Sequence, residues 1–120
     1  MKNNNVERGM KVFYDGEGEW YASPLNLEET KAWAIKEFGY DESLQLFESD
    51  LDNEGAWIIT EEEKYIKELN GYDEKCKGGI GDLRISKIEH GKIDRLTSFR
   101  EILKIDGYSK EPYEIASTNY

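Results

Sequence analysis

Three times along this chain a good helix-capping residue stands three positions ahead of a glutamate: Asn26 and Glu29, Thr60 and Glu63, Ser98 and Glu101. Each pair fits a capping box, in which two otherwise orphaned backbone N–H groups are satisfied reciprocally. Apolar residues follow each box at helical spacing: Leu27, Ala34, Ile35 and Phe38, then Tyr65, Ile66 and Leu69, then Phe99, Ile102, Leu103 and Ile105. Gly39, Asn70-Gly71 and Asp106-Gly107 stand where those helices should stop. Ahead of each box lie two strand-like runs about a turn. MKVFYD (10–15) and EWYAS (19–23) flank Gly16-Glu17-Gly18, and Pro24 closes the second run. LQLFES (44–49) and AWIIT (56–60) flank Asn53-Glu54-Gly55, while LRISKIE (83–89) and KIDRLT (92–97) flank His90-Gly91. EPYEIAST (111–118) is a last strand candidate.

The order that follows is ββα-ββα-ββα-β: a single α+β domain over 1–120, its mainly antiparallel sheet built from three hairpins with three short helices. The boxes are 34 and 38 residues apart, a spacing seen in repeat architectures, but the units share little side-chain identity. The architecture recurs; the sequence does not. A chain of 120 residues buries enough surface to fold without disulfides or metals, and residues 1–9 are expected to be flexible. The single cysteine, Cys76, has no internal partner. No apolar run approaches the roughly 18 residues of a membrane span, and MKNNNVERGMK lacks the apolar stretch of a signal peptide. The expectation is a cytoplasmic protein that does not engage membranes.

Charge is distributed unevenly. Asp15 to Glu74 carries eighteen acids against four lysines, whereas Lys75 to Lys110 carries nine bases against five acids, within a net charge of −10. Such a surface repels phosphates, so direct nucleic-acid binding is not expected, and it attracts a basic protein partner.

Residues 50–61 also fit the count of an EF-hand loop, with Asp50, Asp52 and Glu54 at positions 1, 3 and 5, Gly55 at 6 and Glu61 at 12. Against it, position 5 is a long glutamate, position 9 is Ile58, and Ala56 to Thr60 is an unbroken strand-type run ending in a helix cap. Asp15 to Glu19 offers no second loop. The hairpin reading accounts for Gly55, the β-branched run and Thr60–Glu63 together and is preferred; calcium through Asp50, Asp52, Glu54 and Glu61 is the alternative. No cofactor is expected.

Catalytic constellations are not evident. His90 is the only histidine and falls in a turn, and with Cys76 it offers too few soft ligands for the common zinc sites. KGGIGD (77–82) resembles an anion-holding nest but leads into a strand, so a hinge or bulge is the better reading. Glu28, Glu29 and Glu61 to Glu63 complement helix dipoles. Trp20, Tyr21, Trp33 and Trp57 read as core or sheet-face residues.

GEWYASPLNLEET (18–30) followed by GYDESLQLFESDLD (39–52) resembles the opening segment of the antirestriction family of plasmids and phages, where an aromatic, a proline and paired acids precede a helix and an acidic strand. In size and charge the chain is similar to anti-CRISPR and other counter-defence proteins of phages. The resemblance implies a non-enzymatic inhibitor that sets carboxylates where a nuclease expects phosphates. On that reading Glu28, Glu29, Asp41, Glu42, Glu48, Asp50, Asp52, Glu54, Glu61 and Glu62 form a track against a basic channel, with electrostatic attraction that fades in salt. The alternative is an oligomeric sponge for a small anionic ligand or nucleotide held by Arg84, Arg95 or Arg100.

Overall fold

The structure, a computed structural model, describes residues 5–87 and 89–117. The elements run β1 (Lys11–Tyr14), β2 (Glu19–Ser23), α1 (Leu27–Phe38), β3 (Phe47–Glu48), β4 (Gly55–Thr60), α2 (Glu63–Leu69), β5 (Glu74–Lys75), β6 (Leu83–Ile85), β7 (Ile93–Ser98), α3 (Phe99–Asp106) and β8 (Tyr113–Ser117). They form an α+β domain with two four-stranded sheets, ordered β3-β1-β2-β8 and β4-β7-β6-β5, and every strand pair is antiparallel.

The first and third expected hairpins are present. β1 pairs with β2 from Lys11–Ser23 to Tyr14–Trp20, and β6 pairs with β7 from Leu83–Arg95 to Ile85–Ile93. The run expected to span 83–89 ends as a strand at Ile85, and position 88 lies outside the described residues. The expected tail strand forms over Tyr113–Ser117, where it pairs with β2, though position 118 of its expected span also lies outside them.

The middle hairpin is not formed. β3 pairs with β1, and β4 pairs with β7 in the other sheet. The cause is the intervening loop. Asp50 Oδ1 accepts the Asp52 and Asn53 N–H groups, Glu54 N donates to Asp50 O at 3.0 Å, and Glu54 Oε2 accepts from Asp50 N. These local bonds wind 50–54 into a compact turn that sends Leu51, fully buried, into the core and hands the chain from one sheet to the other.

One of the three expected capping boxes is complete and a second is half formed. Asn26 and Glu29 make a complete capping box, and Ser98 Oγ accepts from Glu101 N at 3.2 Å. At α2 the expectation fails. Thr60 stays in β4 opposite Ile93, its Oγ1 accepts from Glu62 N, and the helix starts later with Glu62 at the cap and no side-chain cap bond.

Residues 5–9, expected to be flexible, are tied down, while 1–4 lie outside the described residues. Asn5 bonds Glu48, Ser49 O and Leu51 N, and Glu7 bridges Met10. Arg100 at the start of α3 donates to Val6 O and Glu7 as well as to Asp52.

Alternation along the strands divides the core. Val12 and Ala22 face a cluster with Met10, Leu51 and the α3 residues Phe99, Ile102 and Leu103. Phe13 and Tyr21 face the opposite cluster, with Leu46 and the half-buried Leu27 and Trp33 of α1. The first sheet is therefore covered on both faces. The second sheet contributes Ala56 to the α3 cluster, and otherwise buries Leu83 and the ion pair of Arg84 with Asp94.

Candidate functional site

The ten carboxylates of the expected track stand at four places along the fold. Glu28 and Glu29 lie in the first turn of α1, where Glu29 completes the capping box, and Asp41 and Glu42 follow its far end. A twelve-residue helix separates them by about 18 Å. Glu48, Asp50, Asp52 and Glu54 lie in or after β3, and Glu61 and Glu62 stand at the other end of β4. Four of the ten already hold cations: Glu48 with Lys11, Asp52 with Arg100, Glu61 with Lys92 and Glu62 with Lys64. Asp41 is held below the ordinary carboxylate range by Ser43, and Asp50 by Asn53 and the Asp52 N–H, so both stay ionised at neutral pH. The track is thus split among four places, partly neutralised, and is not one continuous row.

The calcium alternative is overturned by geometry. Glu54 and Glu61 sit at opposite ends of the six-residue β4, a span of about 20 Å in extended chain, so they cannot share an ion. Asp52 is engaged by Arg100 through bonds of 2.6 and 3.1 Å, and Glu54 accepts from Asp50 N.

Nor do the three arginines of the anion-site alternative converge. Arg84 lies beside Asp94, a neighbour of Arg95 on β7, so Arg84 and Arg95 project from opposite faces of the second sheet. Arg84 pairs with the nearly inaccessible Asp94 at 3.1 Å and stacks 4.1 Å over the Trp57 ring. Arg95 pairs with Glu101 and covers Tyr65, while Arg100 holds Asp52 and Glu7. Each guanidinium is committed to a carboxylate of its own chain.

The nest at 77–82 is filled from within: Lys77 N donates to the Asp82 carboxylate, and Lys77 Nζ pairs with Glu68 at 2.8 Å. His90 is exposed. Cys76 is exposed, and lost hydration together with the Glu74 and Asp82 carboxylates pushes its thiol pKa up, the reverse of an activated nucleophile.

What the fold does assemble is the face of the second sheet that carries α2. The register places Ile58 opposite Arg95 and Ile85 opposite Ile93, and Tyr65 of α2 lies under Arg95. Ile58 is 42% exposed, Ile66 48%, Tyr72 68% and Ile105 78%. Hollows of about 250 Å³ (Ile66, Leu69, Tyr72, Ile85, Ile93) and 170 Å³ (Ile58, Tyr65, Arg95, Ile105) are linked by a third of 210 Å³ at Thr60, Ile66 and Lys92. Ion pairs border this trough: Glu61 with Lys92, Glu62 with Lys64 and Glu101 with Arg95. Isolated exposed apolar residues are ordinary, but a lined-up group with a polar border is characteristic of a docking surface.

Sequence reasoning singled out Glu61 and Glu62 but read Glu101 only as a cap partner, and it missed the trough. Ile58, Ile66 and Ile105 read as members of apolar faces, and nothing local signals that α2 is too short to cover the sheet. It also missed the corner where β2 meets β8. There Glu114 shares a hydrogen bond with Glu19, and this bond, then partial burial, then the charges of Glu19 and Asp15 push its pKa up to about 7. The two glutamates are far apart in the chain and meet only because β8 docks on β2. An open groove of about 380 Å³ between Trp33, Phe38 and Glu114 adjoins that corner.

No family model, curated protein or solved structure matches the chain.

Proposed function

We propose that this protein acts by binding and not by catalysis: it engages a basic surface of a second protein, a nucleic-acid-processing enzyme, and competes with the nucleic acid for it, as the counter-defence inhibitors it resembles do. The observation that carries the reading is the trough on the α2 face of the second sheet, with Ile58, Ile66, Tyr72 and Ile105 exposed and Glu61, Glu62 and Glu101 along its border. An apolar centre supplies affinity, and because Glu61, Glu62 and Glu101 are paired with Lys92, Lys64 and Arg95, steering toward a basic partner falls to the chain's other carboxylates. Phosphate mimicry is the contribution of carboxylates with no lysine or arginine salt bridge among the described residues: Glu28, Glu29, Asp41, Glu42, Asp50 and Glu54. The chain's net charge of −10 supports the same choice of partner.

The test is competition. Purified CRISPR effector nucleases and restriction endonucleases are titrated with the protein in the presence of labelled DNA, from low to high salt. Displacement of DNA with affinity that weakens as salt rises supports the reading. Affinity indifferent to salt, or no displacement from any enzyme of either class, overturns it.

A further inference from the structure

β4 is an edge strand, since the second sheet is ordered β4-β7-β6-β5 and β4 pairs only with β7. The phase of its hydrogen bonds is fixed at one end, where Phe99 N donates to Glu54 O at 3.0 Å. Bonded pairs alternate in an antiparallel ladder, so Ala56, Ile58 and Thr60 direct their backbone groups toward β7. The far side of β7 agrees: Leu96 N donates to Asp82 O, so residues 94 and 96 serve β6 and residues 93, 95 and 97 serve β4. Trp57 and Ile59 therefore point both N–H and C=O outward, and among the described residues nothing bonds to them there.

Edges of this kind are normally guarded by charges, prolines, bulges or a covering element. The strand itself, Gly55-Ala56-Trp57-Ile58-Ile59-Thr60, has no charge and no proline, and its pairing with β7 runs through six residues without a register break. Its charges sit just beyond each end: Asp50, Asp52 and Glu54 before it, Glu61, Glu62 and Glu63 after it. That arrangement chooses the occupant. If a second copy paired antiparallel with Trp57 opposite Ile59, Glu54 would oppose Glu62, and symmetry would repeat the clash at the other end. Parallel self-pairing would set each carboxylate beside its own copy. The Lys92–Glu61 and Lys64–Glu62 pairs are too exposed to remove this repulsion.

We infer that β4 is a strand-addition site whose occupant is an extended segment of another protein, apolar over about five residues and basic at both ends. The inference rests on the binding function proposed above and specifies how the partner is held. The added strand completes the outward hydrogen bonds of Trp57 and Ile59, one of its apolar side chains enters the hollow between Ile58, Tyr65 and Ile105, and its basic ends meet the two acidic flanks.

The probe is a synthetic peptide with a five-residue Val/Thr centre and two lysines at each end, compared with the same centre flanked by glutamates. Ile59→Pro removes an N–H that β7 does not use, so the fold tolerates it, which circular dichroism verifies. Support consists of slowed amide exchange at Trp57 and Ile59 on adding the lysine peptide, about tenfold weaker binding by Ile59→Pro, and weaker binding of the glutamate peptide. The inference is overturned if those amides are not protected, if both peptides bind equally, or if the protein alone protects them in a concentration-dependent way, which assigns the edge to a second copy. An enzyme that binds the protein while leaving the Trp57 and Ile59 amides unprotected overturns strand addition and leaves the binding function standing.

Discussion

Glu114 shows how a single carboxyl on an open surface can set a pH response. Its hydrogen bond with Glu19, partial burial and the charges of Glu19 and Asp15 raise its pKa from 4.5 to about 7. Between those values the folded protein keeps a proton that the unfolded chain has released. Stability from this group is therefore complete below about pH 4.5 and is lost as the pH climbs through 7. The expected result is a melting temperature that falls between pH 5 and pH 8, and a Glu114→Gln variant in which most of that fall is gone and stability at pH 8 is higher than in the parent. Thermal unfolding at four pH values across the window checks it; parallel curves for the two proteins would refute the assignment. No neighbour of Glu114 in the sequence announces this behaviour, because its partner belongs to the second strand of the chain and Glu114 to the last.

Among the elements, α2 is the least well founded. It has seven residues, too few to be stable alone, and Glu62 occupies the cap position without a cap bond. Replacing Glu62 with Ser gives the first turn an acceptor of the right length, and Glu62's exposed contact with Lys64, at 3.9 Å, contributes little that would be lost. Glu62→Ser is expected to stabilise the protein by about 0.5–1 kcal/mol in chemical denaturation; an unchanged or lower midpoint would show that Thr60 already serves this helix. The same element marks how far the sequence could be read. Helix 1 and helix 3 were legible because cap and apolar spacing are local properties, and the structure keeps Asn26–Glu29 and Ser98–Glu101 in place. Thr60 looked equally good, but strand pairing with Ile93 outweighed its capping preference. The middle hairpin misled for a related reason. Asn53-Glu54-Gly55 has the composition of a tight turn, and only Asp50's bonds and Leu51's burial, both long-range in consequence, turn it into a crossing between sheets. Of the trough only Glu61 and Glu62 stood among the residues singled out in the sequence, and its shape was not legible, since exposure of Ile58 or Ile66 depends on what fails to cover them.

At the scale of the molecule the two sheets are unequal. The first lies between the α1 cluster and the α3 cluster, whereas the second has one short helix across one face. The resulting body measures 47 × 36 × 23 Å, with a radius of gyration of 15.7 Å against about 13.6 Å for a round domain of this length. Opening the second sheet exposes little buried apolar surface beyond Leu69 and Leu83, so it costs less than global unfolding. Hydrogen exchange should divide accordingly. Amides in β1 and β2, at Phe13 and Tyr21, are expected to exchange only through global unfolding. Those at Leu83 and Ile85, whose N–H groups bond to Lys75 and Asp73, should exchange roughly tenfold faster or more through local opening. Equal protection throughout would mean that α3 locks both sheets into one cooperative unit, and the inequality would then have no dynamic consequence. The distinction bears on binding. A strand added to β4 extends the weaker sheet, so it should slow exchange at Leu83 and Ile85 as well as at the contacted edge, while β1 and β2 remain as they were.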